Sequence, residues 1–222
     1  MLHGDRSIGT LPLRIVPKPG EHFVLAGRRW KITLVDLERA EVHVTCAFGR
    51  KRPLFLGGPG EIDNRIRMRM REILCTTKEF GYLNSIGTRL LGHSRKTVVE
   101  AGINGSSIIS LSDRRTLWFT WTGTRVQRTL VAMFAAGGWT ALDRGVAIEL
   151  EVSMDEVLAL ISSFVQNAID ALGLATYVQP KQRRKYDRLL SEGLLDIAIT
   201  RDLLDVPRAL DLCRAAIGAR IS

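Results

Sequence analysis

The start of the fold is decided by residues 20–71, GEHFVLAGRRWKITLVDLERAEVHVTCAFGRKRPLFLGGPGEIDNRIRMRMR. Apolar and polar residues alternate at 23–26, 30–37 and 42–48, a pattern that predicts three short strands. Residues 11–16 predict an edge strand, because the prolines that follow limit any further ladder pairing. Short antiparallel strands of this kind predict a small curled sheet or half-barrel.

Two helices are predicted after this sheet. Residues 53–60 form a Gly/Pro-rich loop, and the segment behind it repeats apolar side chains at helical spacing, at Ile62, Ile66, Met70 and Ile73. Four arginines flank this stripe and can stay in solvent while the stripe packs inward. A second helix is predicted at 83–101, with an inward face that consists of Leu83, Ile86, Leu90, Leu91 and Val98.

The remaining sequence predicts a second unit of mixed structure. A hairpin at 107–111 and 116–121 is followed by a helix at 125–136 and by strands at 139–142 and 146–152. The order strand–strand–helix–strand–strand favours an α+β arrangement.

Three further helices are predicted towards the C-terminus. Ser153 and Glu156 form a capping box that opens a helix to about residue 172. A helix at 182–191 directs Tyr186, Leu189 and Leu190 inward, and Asp205 marks the start of a last helix.

The predicted fold class is therefore α+β, a small antiparallel β half-barrel followed by a helix-rich α+β unit. We place the first subdomain at residues 1–60 and the second at residues 61–222.

The net charge of +9 is concentrated in two segments. Residues 49–71 contain seven cationic and two anionic side chains, and residues 181–188 contain five and one. The rest of the chain has equal numbers of both signs. A cationic excess gathered in two places is typical of a surface that binds a polyanion such as nucleic acid.

Composition also bears on location. No apolar run approaches the roughly 18 residues of a membrane span, so we expect no membrane partner. The first residues lack the features of a signal peptide, and Cys46, Cys75 and Cys213 are odd in number without CxxC spacing. We therefore expect reduced, buried thiols and a cytoplasmic protein.

The sequence contains no motif of a known catalytic site. Phosphate-loop, GxSxG, HExxH and SxxK patterns are missing, and the four histidines have no metal-ligand spacing. Asp36, Glu38 and Glu41 could pair for acid–base work, but a solvated turn accounts for them as well. We expect that this chain alone is not an enzyme and needs no cofactor or metal.

Residues 20–57 carry a family resemblance. A glycine-led strand, a Gly-Arg-Arg-Trp turn, a Val-Asp strand and a basic proline-containing loop follow one another, carried by Gly20, Phe23, Gly27, Arg28, Arg29, Trp30, Val35, Asp36, Val44, Pro53, Phe55 and Gly57. SIGTLPL at 7–13, WTGTR at 121–125 with Thr129, and KYD at 185–187 stand in the matching order. This pattern resembles the C-terminal, post-motor region of Lhr-type (large helicase-related) superfamily 2 DNA helicases.

The resemblance implies an accessory domain that packs on a helicase motor and helps to guide DNA past it. The motor domains of that family are not found in these 222 residues, so a motor carried elsewhere is the expected partner. DNA is expected as a ligand in preference to RNA. A protein-interaction domain that docks a separate ATPase subunit is the alternative.

The candidate nucleic-acid contacts follow from charge and position. Arg28 and Arg29 at a strand turn suit phosphate contact, and Trp30 suits either base stacking or the sheet core. Thr124 opens a helix whose N-terminus could seat a phosphate or could simply be capped. The remaining candidates are basic side chains that could contact the backbone or could simply be solvated: Arg50, Lys51, Arg52, Arg67, Arg71, Arg125, Arg128, Lys181, Arg184, Lys185 and Arg188. The last four could instead bind the acidic face of a motor domain.

Overall fold

A computed structural model of the protein describes residues 1–10, 17–25, 27–48, 60–184 and 186–218. The chain divides into two compact units, Met1–Gly60 and Glu61–Ser222. Within the described residues there are seven α-helices and two sheets, of five and four strands, with no closed barrel. The mixed α+β class is confirmed. The edge strand predicted at 11–16 lies outside the described residues.

The first unit is a single five-stranded sheet. Its strands are β1 (Leu2–His3), β2 (Arg6–Ser7), β3 (His22–Leu25), β4 (Arg28–Asp36) and β5 (Glu41–Cys46). They are ordered β2-β1-β5-β4-β3, and all neighbours are antiparallel except the parallel pair β1–β5. The alternation of residues predicted β3, β4 and β5. It missed β1 and β2, because two-residue strands have no measurable period.

A β-bulge in β4 changes which side chains reach the core. The register of β4 against β5 shifts between Ile32 and Leu34, so that Leu34 is exposed and Val35 packs inward. The strict alternation predicted Leu34 on the inner face and was wrong there, because a bulge adds one residue and inverts the faces beyond it. The core that results contains Phe23, Trp30, Ile32, Val42 and Val44.

The second unit contains a four-stranded antiparallel sheet. Strands β6 (Ile108–Ser112), β7 (Arg115–Trp118), β8 (Ala141–Asp143) and β9 (Ile148–Leu150) are ordered β6-β7-β9-β8. Helix α3 (Thr124–Ala136) joins β7 to β8. The predicted order strand–strand–helix–strand–strand is confirmed.

One face of this sheet forms the main core. Trp118, Ile148 and Leu150 point to this face, where α3 contributes Leu130 and Phe134. The Trp118 and Phe134 rings meet edge to face, with their centroids 6.4 Å apart. Helices α4 (Met154–Gln166) and α7 (Val206–Gly218) complete the cluster.

The C-terminal helices differ from the prediction at two places. The Ser153–Glu156 capping box opens α4 as predicted, but α4 ends at Gln166, and a short helix α5 (Ala171–Leu174) begins after the N-cap Asp170. Helix α6 (Glu192–Leu203) was not predicted. Its apolar residues show little helical periodicity, so the pattern gave no signal.

The helix predicted at 182–191 is wrong. Among the residues of this range that the structure describes, the helical element is a 3₁₀ turn, Asp187–Leu189. The Asp187 carboxylate accepts hydrogen bonds from the backbone amides of Arg183 and Arg184, both at 2.7 Å, and an aspartate that binds nearby amides competes with helix formation. Tyr186 and Leu189, predicted to face inward, are exposed.

Helices α1 (Asn64–Leu74) and α2 (Ser85–Glu100) form where the sequence predicted helices, but they are poorly buried. Helix α1 buries none of its side chains, and α2 buries only Val98. Ile66 of the predicted inward stripe is 56% exposed, and Ile86 and Leu90 are 57% and 60% exposed. The prediction of two packed apolar stripes is therefore wrong at Ile66, Met70, Ile86 and Leu90, whereas the other stripe residues are half-buried or buried.

The three cysteines are free thiols with different environments. Cys213 is buried in the core of the second unit, and this burial raises its pKa to about 12. Cys46 and Cys75 are exposed, so the prediction of three buried thiols holds only for Cys213.

The start of α1 is tied to the start of α3 by hydrogen bonds that need a glycine. The Ile62 amide donates to Thr124 Oγ1 at 2.9 Å, and the Thr124 amide donates to the Ile62 carbonyl at 3.0 Å. Between them, the Gly123 amide donates to Asn64 Oδ1. A β-carbon on Gly123 would overlap the Ile62 carbonyl and lie 2.8 Å from the Asn64 nitrogen.

We expect Gly123→Ala to lower the free energy of unfolding by about 1–3 kcal/mol, since the added carbon meets backbone atoms that cannot move aside. Gly92→Ala is the matched control, because a β-carbon at Gly92 in α2 meets open space, and alanine is favoured over glycine in a helix by about 0.5–1 kcal/mol. Urea denaturation followed by circular dichroism measures both. Equal stability of the two variants would contradict the assigned contact.

Candidate nucleic-acid interface

The fifteen predicted contact residues fall into four groups in the structure. Four of them lie outside the described residues: Arg50, Lys51, Arg52 and Lys185. The others are bound into the fold, are paired with carboxylates, or remain exposed.

Trp30 belongs to the core of the first unit. Its side chain is 6% exposed, its Nε1 donates to the Leu25 carbonyl at 3.3 Å, and its ring meets His3 edge to face at 5.2 Å. A base cannot stack on this ring without opening the sheet, so we remove Trp30 from the candidate interface. Arg28 beside it is exposed at the start of β4, and Arg29 is half-buried.

Thr124 does not offer a seat for a phosphate. Its hydroxyl accepts the Ile62 amide and its own amide donates to the Ile62 carbonyl. The N-terminus of α3 is therefore occupied by the segment that leads into α1. The alternative that Thr124 is the N-cap of its own helix is also wrong, because the N-cap of α3 is Gly123, which has no side chain; the Thr124 hydroxyl accepts the Ile62 amide instead.

Arg125 and Arg128 bind the C-terminal end of α6. Arg125 Nη2 donates to the carbonyls of Arg201 and Leu204, at 3.0 and 2.6 Å. Arg128 Nη1 donates to the Leu203 carbonyl at 3.2 Å and pairs with Glu61 at 3.1 Å. Cations at a helix C-terminus satisfy free carbonyls and complement the helix dipole, so both side chains hold the second unit together.

The basic segment near the C-terminus is largely neutralised by nearby carboxylates. Lys181 Nζ lies 2.8 Å from Asp196 Oδ1, both side chains are mostly buried, and the Asp196 carboxylate beside it raises the pKa of Lys181. Arg184 pairs with Asp202 at 3.0 Å. Arg188 is exposed and has no partner among the described residues.

Positive charge stays exposed on the helices α1 and α2. Residues 64–100 contain eight cationic and three anionic side chains, a net charge of +5 out of +9 for the chain. On α1, Arg65 pairs with Asp63 and Arg69 with Glu72, whereas Arg71 is exposed without a partner among the described residues. Arg95 is an internal exception, because its Nε donates to the Ile73 carbonyl at 3.1 Å.

Arg67 connects α1 to the four-stranded sheet. A β-carbon on Gly145, in the turn between β8 and β9, would lie 3.4 Å from Arg67 Nη2 and 3.9 Å from its Cζ. The half-buried Arg67 side chain therefore lies against this turn, at the residue that follows Arg144 in the sequence. Its Nε has no hydrogen-bond partner among the described residues.

Sequence reasoning missed a second cationic group on the sheet itself. Glu149 of β9 is bound by Arg115 of β7, with Nε at 2.5 Å from Oε1, and by Arg144, with Nε at 2.7 Å from Oε2. The hydrogen bonds from Arg144 and Arg115 lower the pKa of Glu149. The strands were predicted, but the cross-strand register that brings these three residues together is not readable from alternation.

The described residues hold no group of three or more His, Cys, Asp and Glu side chains arranged to bind a metal ion. None of the described helices has the length and apolar character needed to cross a membrane. What the basic residues can do chemically is donate hydrogen bonds to phosphate oxygens and neutralise their charge.

Comparisons with known proteins found no matching family model, no matching curated protein and no matching solved structure. The resemblance to Lhr-type helicases therefore stays a prediction from the sequence.

We expect Arg125→Met to lower the free energy of unfolding by about 1–2 kcal/mol, because two carbonyls at the end of α6 lose a charged donor. Arg188→Met is the matched control and should stay within about 0.5 kcal/mol of the parent protein, since Arg188 is exposed and unbound. Chemical denaturation measures both. A destabilisation by Arg188→Met as large as that of Arg125→Met would contradict the assigned roles.

Proposed function

We propose that this chain is a non-catalytic nucleic-acid-binding accessory domain, like the post-motor region of Lhr-type DNA helicases, that grips the phosphate backbone for a motor carried elsewhere. The main evidence is the net charge of +5 on residues 64–100. These residues contain the helices α1 and α2, of which α1 has no buried side chain and α2 has one. The sequence resemblance at residues 7–75 supports the helicase context and DNA as the ligand.

The chemistry of this surface favours contact with phosphates over readout of bases. Arginine binds phosphate with several N–H donors, and such contacts do not depend on sequence. The proposed location is the cytoplasm, which fits three free thiols that include two exposed ones.

The proposal is tested by the salt dependence of binding. We expect single-stranded and duplex DNA to bind at low salt, with an affinity that falls steeply as salt rises. Arg71→Gln should lower the slope of log K against log salt by about 1, because one phosphate contact is lost. Fluorescence anisotropy measures the slope.

The matched control is Arg214→Gln, since Arg214 lies on α7 and pairs with Asp211 at 2.7 Å. This variant should keep the parent slope. Absence of DNA binding at low salt, or binding that does not respond to salt, would refute the proposed function.

A second candidate function is docking of a separate ATPase or helicase subunit, and the apolar side chains exposed on α2 favour it. Ile86 and Leu90 are 57% and 60% exposed, and their spacing of four residues places them on one face of α2. Arg89 precedes Leu90 and borders this face. The partner that fits is an amphipathic helix of the motor subunit with an apolar stripe bordered by carboxylates.

If this docking occurs, Leu90→Asp should remove co-purification with the motor subunit, since a carboxylate would enter the apolar contact and repel the acidic partner. Leu194→Asp is the matched control, because Leu194 is similarly exposed, on α6. Leu194→Asp should co-purify with the motor subunit like the parent chain. Co-purification that survives Leu90→Asp would contradict this second candidate.

A further inference from the structure

We propose that the outer face of the four-stranded sheet is the place where a single-stranded nucleic acid binds, with Arg115 and Arg144 on its phosphates and Phe119 against a base. This inference rests on the proposed function, because it names the ligand class and the binding face of the same domain.

The outer face is defined by the strand register. Ile109, Leu117, Glu149 and Leu142 pair across the four strands and therefore point to the same side. Their neighbours Trp118 and Ile148 point to the other side, where the helices pack. Among the described residues, Ile109, Leu117 and Leu142 do not belong to the main core.

Glu149 holds two arginines over this face. Its side chain is 8% exposed, while Arg115 and Arg144 each keep more than half of their side chains exposed, at 54% and 53%. One carboxylate therefore fixes two guanidinium groups and leaves the trio with a net charge of +1.

Donor groups remain free on both arginines. Arg115 uses Nε and Nη2 on Glu149, and Arg144 uses Nε. Within the described residues no partner is found for Nη1 of Arg115 or for either Nη group of Arg144. These groups can donate to phosphate oxygens without breaking the existing bonds.

Apolar and aromatic side chains lie on the same face. Phe119 follows Trp118 and, since its amide bonds to the Ser107 carbonyl at 2.6 Å, it continues the ladder and points outward. The ring is half-buried and stacks on Trp121 with the centroids 6.1 Å apart. Leu117 is a half-buried neighbour two residues earlier.

The combination of free guanidinium groups with an aromatic ring favours a single strand. A duplex presents phosphates but keeps its bases stacked inside, whereas a single strand can place a base on Phe119 and phosphates on the arginines. Arg67 against Gly145 extends the basic surface from Arg144 to α1.

The test uses fluorescein-labelled oligothymidylate and a duplex of the same length, with binding measured by anisotropy over a range of salt. We expect oligothymidylate to bind more tightly than the duplex. Arg144→Gln should weaken oligothymidylate binding about five-fold at about 0.1 M salt and lower the salt slope by about 0.7, the value for one phosphate contact on a single strand. Arg144→Lys should keep most of the affinity, because it keeps the charge.

Phe119→Leu should weaken oligothymidylate binding at least about five-fold and leave the salt slope unchanged, since stacking involves no counterion release. Arg214→Gln on α7 is the control and should bind like the parent. Circular dichroism checks that each variant is folded, and Arg144 is chosen because its turn is exposed.

The outcomes separate the two proposals. If the parent protein does not bind either DNA, the proposed function fails. If it binds oligothymidylate but both Arg144→Gln and Phe119→Leu leave the affinity and the slope unchanged, the sheet face is not the site, and only this inference is overturned. Equal or tighter binding of the duplex overturns the assignment to a single strand.

Discussion

The placement of helix α1 depends on the hydrogen bonds between residues 62–64 and the start of α3. Ile62 and Thr124 exchange two bonds, and Asn64 accepts the Gly123 amide between them. The two backbones come this close only because Gly123 has no side chain. From this junction α1 extends so that Arg67 reaches Gly145 at the edge of the four-stranded sheet. Helix α1 and the four-stranded sheet thus meet at Arg67 and Gly145 within the second unit.

The arginines of the second unit serve two purposes that composition cannot separate. Arg125 and Arg128 lie against the carbonyls that end α6, where a guanidinium satisfies several acceptors at once. Lys181 and Arg184 are matched by carboxylates of α6. Much of the charge that remains for a ligand in this unit lies on α1, on α2 and on the arginines bound to Glu149, and Arg188 adds a further exposed cation. The surface charge therefore differs from the charge along the sequence, because the fold neutralises part of it internally.

The buried carboxylate of Glu149 holds two arginine side chains in fixed positions on the sheet surface. A long arginine side chain loses considerable conformational entropy when it binds a phosphate, and a guanidinium that is already held loses less. Arg115 on the adjacent strand β7 and Arg144 in the turn before β9 are fixed by their bonds to Glu149. A sheet built in this way presents cations at defined positions beside apolar side chains, which distinguishes it from a merely basic surface.

The periodicity of apolar residues and the capping residues predicted most of the secondary structure, and the exceptions have local causes. The strands of both sheets with three or more residues, the α3 helix and the Ser153 capping box follow from alternation and from helical spacing. The predictions failed at the bulge between Ile32 and Leu34 and at Asp187, which accepts hydrogen bonds from two backbone amides. Each of these is a local irregularity that the periodicity of apolar residues does not reveal. The predicted nucleic-acid contacts agree less well with the structure. Trp30, Thr124, Arg125 and Arg128 have the residue types of a nucleic-acid contact, but the fold uses them internally.

The sequence by itself determined the α+β class, the positions of most helices and strands, and the excess of positive charge, because these depend on residues close together in the chain. The tertiary structure alone decided which cations are free, that α1 and α2 leave apolar side chains exposed, and that Arg115, Arg144 and Glu149 meet. Several of these outcomes depend on contacts between residues far apart in the chain, 34 positions for Arg115 with Glu149 and 79 for Arg125 with Leu204. Such contacts exist only once the strands have paired and the helices have packed on them.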